Sequence, residues 1–523
     1  CALPILQVGD AGATGDITGN TAVSIGASLV FSRSDAASYA GAISGGGTVS
    51  KLGTNTLTLT GLQTYTGATA TGSSGGGIVF TNNTRPSTPS FTGNGFVSIQ
   101  PAAAGSFASA FATSAYSFAN TLTGLTLGRD GNTATMTVDS VLNIAGPISI
   151  YGGTINLNAD ITSTAANAAM LFKSAGDIAQ AANVDVLTNG GSTVYWANSD
   201  GGNSAGMVLL DTGATITTNG GHVRMGGSAT PDGQTTWRSL TVGDGYAASG
   251  TSVAFAGNSP WQGGIVLKRS QISTSGGDVS LYGYGAAGGS GVVNFDTTTV
   301  NAGTGQILIN AKSAGIAAFL PGLHPSVLPD AVFELRSAHS GADAIRVVTD
   351  GVASNGPGAI IEGNFRMLAT NGGGVTLSGR AAAGTTALQV GSGWGGGVME
   401  ALSTTGNITL DAGTNSISFQ NAASAIYLGS KSGSDVASAS GNLLLTADSL
   451  SLASALTYAN TTGRLSIVPT SASFSSAINS TGWVLGSGLS ALTVGSSTNT
   501  ASKGVICSTT PNQLYEGLLK DWP

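Results

Sequence analysis

The alternation of apolar and polar positions repeats one short phrase along the chain. In "TTNGGHVRMGG" (217–227), Val223 and Met225 fall on one side of an alternating run, with His222 and Arg224 on the other. "STSGGDVSLYG" (273–283) does the same with Val279 and Leu281, and "TTGNITLDAG" (404–413) with Ile408 and Leu410; "NGGGVTLSG" (371–379) and "ASGNLLLTAD" (439–448) follow the same form. A period of two marks a strand with one buried and one wet face. A second short apolar stretch precedes three of these runs: "ATITT" at 214–218, "SQIST" at 270–274 and "EALSTT" at 400–405. The unit is strand, Gly/Asn corner, strand. Its spacings, near 28, 33, 35 or more residues, are those of a basic coil lengthened by inserted loops.

Such a corner suits a hairpin turn or the bend between two sheets of a solenoid, where each strand pairs with its counterpart one coil away. Recurrence along the whole chain favours the solenoid. Gly and Asn supply corner residues with positive φ, and Ser and Thr stack readily at the ~4.8 Å spacing of paired strands. A longer echo supports this reading. "VSIQPAAAGSFASAF" from 97 and "LSIVPTSASFSSAIN" from 465 align Pro101 with Pro469 and Phe107 with Phe474, and further on Gly128 with Gly495 and the "NTA" of 132–134 with that of 499–501. "AAAGSFASAFATSAYSFAN" (102–120) is expected to lie outside the regular coils.

Residues 41–69, "GAISGGGTVSKLGTNTLTLTGLQTYTGAT", place Val49, Lys51, Gly53, Leu57, Leu59, Gly61, Tyr65 and Gly67 in a G-x-L-x-K-x-G-x-x-T-L-x-L-x-G-x-x-x-Y-x-G pattern. This stretch resembles the passenger-associated repeat of bacterial autotransporters, and roughly 97–505 resembles the repeat regions of filamentous-haemagglutinin-like exoproteins. The resemblance implies a right-handed parallel β-helix, secretion across a Gram-negative envelope and a role as a surface adhesin or fibre stalk. It assigns the Tyr65 motif to secretion and folding, not to catalysis. The amino-terminal secretion domain and carboxy-terminal membrane barrel of those families are missing from this sequence, so the secretion route stays open.

The expected fold is therefore all-β: an elongated right-handed parallel β-helix with inserted loops and a short C-terminal helix. Its parts are 1–96, carrying the autotransporter-type repeat; 97–506, the main β-helix; and 507–523, a cap or docking tail. At roughly 20–25 residues per coil it makes about twenty coils and a rod of ~100 Å. Composition agrees. Gly fills 81 of 523 positions and charged residues only 8%, while hydrophobic residues reach 41%, so there is ample core but little of the surface chemistry of long helices. A net charge of −7 without a basic patch argues against a nucleic-acid partner.

In the tail, "TTPNQLYEGLLKDWP", Thr510 reads as an N-cap and Pro511 as the first helical residue. Leu514, Tyr515, Leu518, Leu519 and Trp522 then share one face, as a lid over the open core end or a plug for the next subunit. Cys1 and Cys507 sit at opposite ends of the chain. A disulfide needs Cα atoms within about 7 Å, so in a rod they bridge only between molecules stacked head to tail. Two other readings stand beside that clasp: a lipidated Cys1 as a membrane anchor, and no special role for either thiol. The chain starts at Cys1 without an initiator Met, and so reads as a processed product or a fragment.

Catalytic chemistry finds little footing. The 25 acidic residues are scattered, and Asp130, Asp200, Asp244 and Asp296 sit mostly beside Gly or Asn as turn formers. His222, His324 and His339 have no ligand spacing, and His222 is expected to face solvent. Neither a metal nor a cofactor is expected. Trp196, Trp237, Trp261 and Trp394 occupy polar Gly-rich loops, either pinning inserted loops or contacting a host or matrix glycan or protein. The expectation is a non-enzymatic secreted or surface β-solenoid that self-associates end to end and supports adhesion or a biofilm matrix. The alternative is a β-helix lyase or hydrolase acting on polysaccharide.

Overall fold

A computed structural model describes residues 4–498, apart from 73–74, 104, 203–205, 251–252, 254–260, 287, 324–330, 355, 393–395, 420–422, 452–455, 477 and 479–482. The chain is an all-β parallel solenoid. Each regular coil carries three short strands, as in Gly124–Leu127, Thr135–Val138 and Leu142–Ile144, before the path returns to its starting side at Ile148–Gly152. Strands pair in parallel with their counterparts one coil on. The first face is an open ladder running from Ala37–Tyr39 to Ala491–Val494. Among the described residues, twelve strands from Phe111–Ala112 to Ser449–Ser451 form the second face, and twelve from Leu142–Ile144 to Trp483–Leu485 the third. In the N-terminal coils a six-stranded sheet, Ile5–Val8 to Ser117–Phe118, occupies the position that the third face takes over later.

The predicted strand–corner–strand units are present as read. Thr215–Thr217, Gln271–Ser273 and Val398–Ser403 lie on the third face, and Val223–Gly226, Val279–Gly285 and Ile408–Asp411 follow on the first. Register reproduces the spacings too. Val279 pairs with Ile307, 28 residues on; Val375 with Ile408, 33 on; Ile408 with Leu443, 35 on. Uninterrupted coils are shorter, with Leu57 opposite Ile78 and Ile78 opposite Val97. Among the described residues, insertions leave fewer coils than the twenty expected for the chain. Among the described residues the first face holds eighteen strands, of which Ala247–Ala248 and Val223–Gly226 share one rung against Val279–Gly285, leaving seventeen rungs. With one more level at Ile5–Val8, the described stack is about 80 Å long at ~4.8 Å per rung.

Inward positions build a single core. Down the first face, Leu57, Ile78, Val97, Leu125, Ile148 and Met170 stack in register and are closed to solvent. They belong to one contiguous apolar cluster that extends from Val8 to Leu489.

The recurring polar corner has a physical explanation. Thr218 Oγ1 donates to the Gly221 carbonyl, while Asn219 (φ 51°) and Gly220 (φ 115°) take the left-handed conformation that turns the chain from third to first face. Gly221 then passes so close to the previous coil that a β-carbon there would run into the Gly191 carbonyl oxygen. The corner recurs at Thr274–Gly277 and Thr188–Gly191. Ser337, Ser403 and Thr461 extend it by donating to the carbonyls of Gly305, Gly373 and Gly441 in neighbouring coils. Hydroxyl, left-handed residue and glycine column together make the corner stackable.

The two echoing segments occupy equivalent phases of the coil. Val97 and Leu465 lie in first-face strands, Phe107 and Phe474 are both buried, and Gly128 (φ 77°) and Gly495 (φ 89°) each follow the next first-face strand. Residues 102–120 depart from expectation. Phe111–Ala112 and Ser117–Phe118 are strands within the sheets, joined by a 3-10 turn at Thr113–Ala115, because Phe107 and Phe111 are needed to fill the core. In the 41–69 stretch, Tyr65 is fully buried and its hydroxyl shares a 2.6 Å hydrogen bond with Thr69 Oγ1. Gly61 and Gly67 pass against the carbonyls of Gly41 and Gly47. Lys51 points inward, its Nζ donating to the Gly53 carbonyl at 2.6 Å. The expected C-terminal helix lies outside the described residues.

Candidate binding surface

The longest coil, from Val223 to Val279, departs from the stack at Gly227 and returns at Gly245, where the two glycines form an antiparallel bridge. Between them Gln234–Trp237 and Leu240–Gly243 make a hairpin, with Arg238 and Ser239 at positive φ in its two-residue turn. The hairpin packs on outward residues of the first face, closing Val194 and Trp196 under Val242, with Leu171, Trp237 and Leu240 around them. Trp196 Nε1 donates to Ser228 Oγ at 2.8 Å. Lys173 lies above its ring, 4.1 Å from the centroid, and reaches Asp130 at 2.7 Å and Asp232 at 3.5 Å. Trp196 thus fastens the hairpin to the rod. Trp237 stays half-exposed, edge-on to His222 with ring centroids 5.5 Å apart.

His222 is not the solvated side chain its alternation suggested. The hairpin half-buries it, and Nδ1 accepts a 2.8 Å bond from the Asp278 backbone N–H. Burial lowers its pKa, partly offset by the Asp278 carboxylate. Arg224, outward by alternation, is closed off as well. Its guanidinium sits 3.6 Å from the Tyr282 ring centroid and donates to Ser280 Oγ at 2.6 Å, and Tyr246 lies beside Tyr282. Burial lowers the pKa of Arg224 and raises that of Tyr246.

No protein family, curated protein or solved structure matches this chain. What the surface can do is therefore read from its own geometry.

Trp261 stands elsewhere. It forms an antiparallel bridge with Val253 and packs beside a satellite cluster of Met207, Val266 and Val293 on the second face. Among the described residues the selected tryptophans do not converge: Trp196 and Trp237 serve one hairpin, Trp261 another face. Trp394, Cys1, Cys507, His324, Leu514, Tyr515, Leu518, Leu519 and Trp522 lie outside the described residues.

A polar array that sequence alone does not disclose runs along the third face. Register places Glu334, Arg366, Glu400, Tyr427 and Tyr458 in one outward column. Arg366 Nε meets Glu400 at 2.7 Å and its Nη1 meets Glu334 at 3.3 Å; Lys431 closes the other oxygen of Glu400. Burial alone lowers the Arg366 pKa, but its bonds to the two carboxylates outweigh that and raise it. The Tyr427 and Tyr458 rings are parallel, 4.7 Å apart, and Lys431 covers Tyr427 at 4.4 Å. The turn after Lys431 folds back over the face, tying Asp435 to Arg336 and pressing Val436 onto Leu368 and Leu402. A cleft of about 270 Å³ opens beside this array. Glu400, which lines it, is held by two cations, and Tyr427 is stacked on Tyr458 and covered by Lys431. Elsewhere Asp130 and Asp296, expected as turn formers, also hold ion pairs, with Lys173 and Arg269. Among the described residues no three His, Cys, Asp or Glu side chains gather in a metal-ligating set.

Proposed function

We propose that this chain is a non-enzymatic extracellular structural protein, a rigid β-solenoid rod that works as a stalk, fibre subunit or adhesin. One observation carries this reading: the first-face ladder continues from Ala37–Tyr39 to Ala491–Val494 over one sealed core. A parallel ladder resists bending because every rung is hydrogen-bonded to the next, so such a body holds surface loops at a fixed distance from its base. The sparse charge of its surface and the resemblance of residues 41–69 to an autotransporter repeat support secretion to the surface of a Gram-negative bacterium. End-to-end association, with or without a Cys1–Cys507 clasp, is the assembly this reading implies; lipidation at Cys1 is the anchored variant.

Display of the chain on a non-adherent bacterial host tests it. Adhesion or biofilm gained over an unfused carrier is the expected result, with isolated rods or filaments in negative-stain images of the purified protein. Compact particles and no gain in adhesion would refute it. The enzymatic alternative draws on the cleft lined by Glu400. Release of reducing ends from a polysaccharide, lost in Glu400→Gln, would establish that reading instead.

A further inference from the structure

A second cleft, of about 300 Å³, lies between the loop at 82–87 and the segment 108–116. Tyr116 lines it and stacks on the buried Phe111, with centroids 5.3 Å apart, and the Tyr116 hydroxyl donates to the Pro86 carbonyl at 3.0 Å. Arg85 lies over Phe111, 5.6 Å from the centroid, and makes neither an ion pair nor a hydrogen bond among the described residues. That contrasts with Arg33, Lys268, Arg269, Arg366 and Arg380, each of which meets a carboxylate. No acidic residue lines the cleft. Around Arg85 stand the exposed Thr84, Ser87 and Ser109, together with Asn83, whose Oδ1 is taken by the Ala102 N–H while its Nδ2 is left to donate.

We propose that this cleft binds a carboxylated sugar, a uronic or a sialic acid. A guanidinium presents a planar fork that fits a carboxylate with two parallel bonds, and Arg85 lies over the Phe111 ring with no ion pair or hydrogen bond among the described residues. Hydroxyls and an amide suit a ring rich in hydroxyl groups, and Pro86, Ala108 and Ala115 offer small apolar contacts to its C–H face. The volume admits one or two sugar rings. A polyphosphate or nucleic acid would call for several cations along its backbone, whereas this cleft has one and the chain carries −7 overall.

The proposed surface role supplies the setting in which such sugars are met, but binding by the purified chain is independent of it. Calorimetric titration of the full chain with N-acetylneuraminic acid, digalacturonic acid, galactose and sodium sulfate tests the proposal. Saturable binding of one or both acidic sugars is expected, and which of them binds identifies the source. Affinity should fall at least about tenfold in Arg85→Gln, the loss of one charge-assisted contact, and stay unchanged in Arg464→Gln, an exposed arginine on the first face. Should Arg85→Gln fail to fold, Ser109→Phe blocks the cleft from its exposed rim and is expected to abolish binding. Equal binding of galactose, sulfate matching the acidic sugars, or indifference to both cleft variants would overturn the site. Adhesion without sugar binding would sink the site and leave the proposed function standing.

Discussion

Gly277 has no room for a side chain: a β-carbon there would overlap the carbonyl of Gly221 one coil away. The atoms it would meet are all backbone, of Gly220 and Gly221, and cannot swing aside, so Gly277→Ala is expected to destabilise its coil by about 3 kcal/mol or more. Gly131 provides the control. Its φ of 80° strains any other residue, but nothing lies within 4 Å, so Gly131→Ala should cost only about 1–2 kcal/mol. Denaturant unfolding with amide exchange resolves the two, and equal losses would refute the steric account. Lys51 makes a prediction of the opposite kind. Burial lowers its pKa below the usual 10.5, so between its folded value and 10.5 the unfolded chain binds more protons than the native one. Stability must rise with pH across that alkaline window. Lys51→Met should keep the fold and flatten this rise; an unchanged profile would mean that other groups cause it. Both residues could be seen in the sequence, Gly277 in a repeated corner and Lys51 in a repeat motif. Why they matter could not, because the strand opposite Lys51 at Phe31 and the carbonyl against Gly277 at Gly221 lie one coil away in space and twenty or more residues away in sequence.

Between coils the same difficulty becomes one of register. Alternation and corner residues were enough to place strands such as Val223–Gly226 and Ile408–Asp411 and to put Val223 and Ile408 in the core. The column of Glu334, Arg366 and Glu400 was not legible, since it appears only when the length of each intervening loop is known. The hairpin at 234–243 was missed for a related reason. Its turn uses Arg238 and Ser239 at positive φ, not the Asn-Gly pair that announces a tight turn, so Trp196 and His222 looked more exposed than they are. The ion column can be tested directly. Glu400 is almost fully buried and shared between Arg366 and Lys431. Arg366→Ala is expected to cost about 2–3 kcal/mol, less than a fully buried pair because Arg366 is one-third exposed. Adding Glu400→Ala should restore part of that loss, since the buried Glu400 carboxylate is then no longer left with Lys431 alone, and additive losses in the double-mutant cycle would show that the two side chains are energetically uncoupled.

Over the whole molecule the stack of rungs fixes a shape, and scattering measures it if the right quantity is chosen. A compact globule of 523 residues has a radius of gyration of about 24 Å. A rod about 80 Å long and some 15 Å in radius has nearly the same value, about 25 Å. Radius of gyration therefore cannot separate the two. Maximum dimension can, since the globule spans about 60 Å and the rod close to 85 Å, and only the rod yields a linear cross-sectional region at intermediate angles. The same curve reports assembly. Head-to-tail pairing doubles the length to about 160 Å with the cross-section unchanged, because each added copy continues the same ladders along one axis. Side-by-side association would instead thicken the cross-section at constant length. Raising the concentration at fixed pH, with and without reductant, sorts these outcomes. Growth in length that reductant reverses points to a covalent clasp, growth that ignores it to strand addition alone, and growth in thickness would exclude the end-to-end fibre.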